Sequence, residues 1–96
     1  MAVQPGDVSF DMLVRSLAAS AAVHLGDAAD RTTGATATPN VAAAAQMIDL
    51  LALLEEKTQG NLSEAEAQLL VGTLRVLRLR LLEVRQRVAP GGAPGA

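Results

Sequence analysis

The sequence contains no cysteine, no tryptophan and no tyrosine, and Phe10 is its only aromatic residue. Without cysteine the chain has no disulfide bond, no thiolate nucleophile and no zinc site of the cysteine type, which suits a reducing cytoplasm. The lack of Tyr and Trp removes the side chains that most often stack on nucleic-acid bases. A core must therefore be built from Ala, Leu and Val, and the first two favour helices. We expect a cytoplasmic, all-α protein.

Long apolar runs are also missing. The apolar stretch 41–48 is far shorter than the roughly 20 residues that a bilayer-spanning helix needs, and the first seven residues lack the basic start and apolar run of a signal peptide. We therefore expect no membrane segment. With 96 residues the chain can form one domain at most, and a core of that size is only marginally stable unless another chain contributes.

Charge is divided unevenly along the chain, although the formal net charge is only −2. Residues 1–66 carry three basic and nine acidic side chains, whereas residues 67–96 carry five arginines and one acidic side chain, Glu83. Such a division permits a basic face for an anionic partner, or attraction between two parts of one fold.

The first helix is predicted by a capping residue at each end. Ser9 is a good N-cap, and Gly26 suits the left-handed conformation with which helices often end. Between them the apolar residues recur with a helical period and form a core-facing stripe. The expected helix spans about 9–25, preceded by a flexible leader over residues 1–8.

The second helix should follow a connecting loop over 27–38, which is rich in Thr, Asp, Ala and Gly and shows no apolar period. Thr38 as N-cap and Pro39 at the first helical position predict where the helix begins. It should span about 39–58. Its apolar residues cover well over half of its circumference, so we expect more than one neighbour to pack against it.

Residues 57–66 predict a tight turn between the second and third helices. Gly60 is the expected C-cap of the second helix, because glycine adopts the left-handed conformation at little cost. Ser63 and Glu66 have the Ser-x-x-Glu spacing of a capping box, which starts a helix at residue 64. We therefore expect helices two and three to form an antiparallel hairpin.

The third helix is predicted over about 64–88. Its leucines and valines recur at alternating spacings of four and three, the heptad pattern of a helix that packs along a partner helix. Other apolar residues lie off this seam, so we expect homodimerisation to complete a helical bundle. Residues 89–96, made of Pro, Gly and Ala, should form a disordered tail. The predicted oligomer interface is Leu70, Leu74, Leu77, Leu81, Val84 and Val88.

Three segments together carry a family resemblance: SLAASAAVHLG at 16–26, IDLLALL at 48–54 and KTQGNL at 57–62. Through them the chain resembles the small bacterial proteins grouped as domain-of-unknown-function family 1844, over roughly residues 9–84. The resemblance implies a short helical bacterial protein. It implies no activity, ligand or catalytic residue.

Ser20, His24 and Asp27 are the residue types of a nucleophilic triad at helical spacing. A serine in the middle of a helix, however, has no oxyanion hole and no sharply exposed position. Asp27 and Asp30 are conceivable cation ligands, but no glycine-bearing calcium loop follows them. We therefore expect no enzymatic activity, no catalytic residue, no metal site and no cofactor.

The arginines of the third helix flank its heptad seam. Their stems can cover apolar surface while their heads pair with Asp49, Glu55, Glu56 or a second subunit. The sequence thus favours a non-enzymatic structural or protein-interaction module that self-associates through apolar helix faces. The alternative is a nucleic-acid- or ribosome-associated factor that uses a basic strip. The residues of that strip are Arg75, Arg78 and Arg85.

Overall fold

The computed structural model of the chain describes residues 8–29, 34 and 38–92, with side chains up to residue 87. Within these residues there are three helices and no β-strand, which confirms the all-α prediction. Each helix packs against both of the others. The helices are α1 (Phe10–Leu25), α2 (Val41–Lys57) and α3 (Glu64–Gly92).

Helix α1 begins and ends where the capping residues predict. Ser9 has an extended backbone, and its Oγ accepts a hydrogen bond from the amide of Met12 at 3.1 Å. Gly26 is left-handed, with a φ of 82°, and its amide donates to the carbonyl of Val23 at 3.0 Å. Both ends therefore satisfy backbone groups that a helix terminus leaves without a partner.

The start of α2 differs from the prediction. Its N-cap is Asn40 and not Thr38, because the Oδ1 of Asn40 accepts the amide of Ala43 at 3.0 Å. Pro39 consequently lies before the cap instead of at the first helical position. Asparagine is at least as good an N-cap as threonine, and the amide of Asn40 is already bonded to the carbonyl of His24 at 2.7 Å. That bond also ties the start of α2 to the end of α1.

The end of α2 is a second correction. Thr58 is the C-cap instead of Gly60, and its hydroxyl donates to the carbonyl of Leu54 at 2.7 Å. Gly60 is left-handed as expected, with a φ of 82°, but it lies two residues beyond the C-cap Thr58. There it lets the chain turn so that the amide of Asn61 donates to the carbonyl of Thr58 at 2.9 Å.

The capping box at the start of α3 is confirmed. The amide of Ser63 donates to Oε1 of Glu66 at 2.9 Å, and the amide of Glu66 donates to Oγ of Ser63 at 3.1 Å. Leu62, directly before the cap, packs against the core. The chain direction into α3 is therefore set by both hydrogen bonds and an apolar contact.

Helix α3 ends at Gly92, four residues beyond the predicted end at residue 88. Pro90 lies in the last turn of the helix, two residues before this end. Residues 1–7, most of the predicted loop and residues 93–96 lie outside the described residues. The flexible leader stays a prediction, and so does the disordered tail over residues 93–96, whereas residues 89–92 of the predicted tail belong to α3.

One core lies between the three helices. Ala21 of α1 and Ala44 of α2 have no exposed surface, so the two helices approach closely where these small side chains meet the core. The helix α3 contributes more buried residues than either of the others. The buried residues are Val14, Ala21, Leu25, Ala44, Ile48, Leu51, Leu70, Leu74, Leu77, Leu81 and Val84.

Candidate interaction surface on helix α3

The heptad seam of α3 lies inside the single chain. We call Leu70, Leu74, Leu77, Leu81 and Val84 the inner seam; each is at most 8% exposed. These side chains pack in the core with α1 and α2, so they are not a surface that another copy can reach. The side chain of Val88, the sixth predicted interface residue, lies outside the described residues. Heptad spacing predicts packing along a helix but does not say whether that helix belongs to the same chain.

The side of α3 that points away from the core carries large apolar side chains. We call Val71, Val76, Leu79 and Leu82 the outer face; their exposed fractions are 42%, 60%, 56% and 51%. Four exposed apolar side chains on one side of one helix are a candidate interaction surface. The interface predicted from the sequence is the heptad seam, whereas these exposed apolar residues lie off it.

A hollow of about 730 Å³ between α1 and α3 borders the outer face. Its wall on α1 is made largely of small side chains, at Ala18, Ala19 and Ala22. Its wall on α3 includes Gly72 and Val76. The alanines of the α1 wall and Gly72 of the α3 wall leave room for the side chains of another helix to approach closely.

Gly72 has no packing partner in the described chain. A Cβ atom built at this position would meet nothing within 4 Å, so the core does not require a glycine here. Glycine in a helix interior costs about 1 kcal/mol relative to alanine. Neither α1 nor α2 makes a close approach that would require a glycine at this position.

Arg80 joins α3 to the end of α1. Its Nη2 and Nε donate to Oδ1 and Oδ2 of Asp27 at 2.6 and 2.9 Å, and its Nη1 also pairs with Glu83. Two parallel hydrogen bonds to one carboxylate fix both side chains. The hydrogen bond from Arg80, which outweighs the opposing effect of burial, holds the pKa of Asp27 below its ordinary value of 3.8. The two carboxylates likewise raise the pKa of Arg80.

This ion pair predicts a pH-dependent contribution to stability. Because the folded chain lowers the pKa of Asp27, the contribution is complete above the unfolded value of 3.8 and is lost as the pH falls through the lower folded value. The free energy of unfolding of the wild type should exceed that of Asp27→Asn by a constant amount above about pH 5. Below pH 3.8 the difference should shrink, as urea titrations at each pH would measure. A difference that does not change with pH would contradict the pairing.

The predicted basic strip is exposed. Arg75, Arg78 and Arg85 all lie on the surface, and none of them forms an ion pair with a residue that the structure describes. The partners proposed for them from the sequence, Asp49, Glu55 and Glu56, are equally without ion pairs in that part of the chain. Arg75 and Arg78 do share a shallow depression with Glu55 and Val71. By helical periodicity Arg75 lies among the residues of the outer face, and Arg78 and Arg85 lie along its edge, so all three charges are available to another molecule.

Ser20, His24 and Asp27 are not brought together as a triad. The carboxylate of Asp27 is held by Arg80, and no hydrogen bond joins the side chains of Ser20 and His24 among the described residues. Asp30 lies outside the described residues. No group of three or more His, Cys, Asp or Glu residues that could hold a metal ion is found in the residues searched.

None of the described helices is both long and apolar enough to cross a membrane.

Comparisons with known proteins return one finding. No curated protein and no solved structure matches the chain. A family model described as a domain of unknown function, DUF1844, matches residues 7–83. This span includes α1, α2 and most of α3, and the chain therefore belongs to the DUF1844 family.

Proposed function

We propose that the chain is a non-enzymatic structural or protein-interaction module of the bacterial cytoplasm that forms a homodimer through the outer face of α3. The dimer would complete a helical bundle. The observation that carries this proposal is the exposure of Val71, Val76, Leu79 and Leu82, of which Val76 also lines the apolar hollow between α1 and α3. Burying the exposed half of a leucine side chain contributes about 1 kcal/mol, and a symmetric dimer gains this for both copies.

The proposal includes an antiparallel hairpin of α2 and α3. A connection of six residues, 58–63, separates the two helices, and short connections favour antiparallel neighbours. Thr58, Leu62, Ala67 and Leu70, from both sides of the turn, line one depression. In this arrangement α2 covers the inner seam and the outer face is left for another copy.

The molar mass of the chain in solution tests the proposal. A stable homodimer should have twice the mass of the 9.9 kDa chain and dissociate on dilution. Native mass spectrometry and sedimentation equilibrium over a range of concentrations would measure both. A compact, fully stable monomer at every concentration would remove the argument from exposed apolar surface.

A second candidate function has one observation in its favour. Arg75, Arg78 and Arg85 are exposed and have no ion-pair partner in the described residues, so a nucleic-acid- or ribosome-associated role is the alternative. A variant with all three changed to Gln should then lose retention on RNA near physiological salt, because each lost phosphate contact weakens binding. Equal retention of variant and wild type, or none by either, would count against this function.

A further inference from the structure

The arginines of α3 border the outer face along both of its edges. At about 100° per residue, the four apolar side chains of the outer face span an arc of about 140° around the helix. Arg78 and Arg85 lie within about 40° of one edge of this arc, and Arg87 lies within about 20° of the other. All three arginines are exposed. An apolar arc bordered by cationic side chains is the arrangement of an amphipathic helix that lies in the surface of a membrane.

Two other charged side chains between residues 71 and 87 fall within the arc. Arg75 lies between Leu79 and Leu82 around the helix, and its long apolar stem lets the guanidinium reach outward past them. Glu83 lies on the same side, but its carboxylate pairs with Arg80. The arginines of the arc and its edges that form no ion pair with a described residue are Arg75, Arg78, Arg85 and Arg87.

We propose that the outer face of α3 also binds the surface of an anionic phospholipid bilayer. Its leucines and valines enter the boundary between the headgroups and the acyl chains, and the arginines contact lipid phosphates. The contact uses the face proposed above for the homodimer but does not require the dimer. Because a face covered by a second copy cannot touch a bilayer, the dimer and the lipid-bound chain are alternative states.

The distribution of charge over the chain turns the outer face towards such a surface. From residue 67 onward the sequence has five arginines and one acidic side chain. Helix α2 has the opposite balance, with three acidic side chains against Lys57. A negative surface attracts α3 and repels α2. The chain therefore approaches an anionic bilayer with its arginines and its exposed apolar side chains in front.

Charge and apolar area act together in this contact. An arginine close to an anionic bilayer gains about fivefold in affinity, and burying the exposed half of a leucine gains about the same factor. The four apolar side chains with Arg75, Arg78 and Arg85 thus give reversible binding comparable to that of one myristoyl chain. RNA phosphates would attract the same arginines but leave the leucines and valines uncovered, and the chain has no Tyr or Trp to stack on bases.

Sedimentation with vesicles tests the contact on the full chain. The chain should sediment with vesicles of phosphatidylglycerol and phosphatidylcholine in equal parts, and it should stay in the supernatant with vesicles of phosphatidylcholine alone. Raising NaCl to about 0.5 M, where the Debye length is only about 4 Å, should release most of the bound chain. Equal binding to both kinds of vesicle, or binding to neither, would overturn the proposal.

Two charge reversals separate the arginines of the outer face from the total charge. Arg78→Glu should weaken binding to the anionic vesicles about 20-fold, because an attraction of about fivefold becomes a repulsion of similar size. Lys57→Glu changes the net charge by the same amount at an exposed side chain of α2, and its affinity should stay within about threefold of the wild type. Circular dichroism verifies that both variants are folded. Equal losses in the two variants would mean that the outer face does not make the contact.

A second pair of variants tests the apolar part of the contact. Leu79→Gln/Leu82→Gln should bind the anionic vesicles at least about tenfold more weakly, because two inserted side chains become polar. Leu50→Gln/Leu53→Gln makes the same change at two exposed leucines of α2 and should bind like the wild type. Binding that is lost equally in both variants, or in neither, contradicts the insertion of the outer face.

Failure of the lipid contact and failure of the homodimer give different results. Sedimentation equilibrium without vesicles measures self-association alone. A dimer that does not bind anionic vesicles overturns the lipid contact and leaves the homodimer standing, whereas a monomer that binds them does the reverse. A chain that is retained on RNA but does not sediment with the anionic vesicles also overturns the lipid contact.

Discussion

Replacing Leu70 with alanine should lower the free energy of unfolding of the chain by about 3 kcal/mol. Leu70 has no exposed surface and belongs to the core shared by the three helices. The loss combines the transfer free energy of the removed methyl groups with the cost of the cavity that the core cannot close. For a domain this small, such a loss is a large part of the total stability.

Leu79→Ala is the matched control, because it removes the same atoms from the same helix at a side chain that is 56% exposed. Its effect on the stability of the single chain should be less than about 1 kcal/mol. Urea denaturation at a concentration where the chain is monomeric compares the two variants. If both destabilised the monomer equally, the distinction between the inner seam and the outer face would be wrong.

Introducing glutamate at both Leu79 and Leu82 should raise the Kd for self-association by at least about 100-fold, equivalent to about 2.7 kcal/mol. A symmetric contact across the outer face would contain four carboxylates in place of four leucines. The contact would lose the burial of these leucines, about 1 kcal/mol for each, and Arg75 and Arg78, four residues earlier on the helix, would offset only part of the hydration that the carboxylates give up. The fold should survive, because both side chains are more than half exposed in the single chain.

Leu50→Glu/Leu53→Glu provides the control on another helix. These two leucines of α2 are 43% and 48% exposed. The change in charge and in apolar area is therefore similar to that of Leu79→Glu/Leu82→Glu. Mass measurements on dilution should find that this variant assembles like the wild type. The reverse result, with dissociation caused by the α2 variant and not by the α3 variant, would place the interface on α2.

Local chemistry made the helix ends largely predictable. Ser9, Gly26 and the Ser63–Glu66 pair act where the sequence places them, because a cap needs only a side chain and backbone groups within a few residues. Three ends differ from the prediction: both ends of α2 and the end of α3. Near Asn40 several adjacent residues can cap a helix, and the longer-range bond from Asn40 to His24 favours one of them. At Thr58 the hydroxyl caps the helix through local bonds to the carbonyls of Leu54 and Glu55.

The candidate surface was only half predictable. The sequence contains the apolar residues of both sides of α3 and the three arginines of the basic strip, and each can be placed around the helix by its periodicity. Periodicity does not say which side the other two helices cover. The more regular and more apolar pattern was therefore assigned to the interface, whereas the structure buries it in the chain.

The sequence by itself determined that the chain is helical, where the three helices begin and end to within a few residues, and that one helix has apolar residues on more than one side. Only the tertiary structure decided that the inner seam faces the core and that Leu79 and Leu82 remain exposed. It also decided that Arg80 is paired with Asp27, 53 residues away. The reason is that capping and periodicity depend on neighbours along the chain, whereas burial and ion pairing depend on which distant helices occupy the space around a side chain.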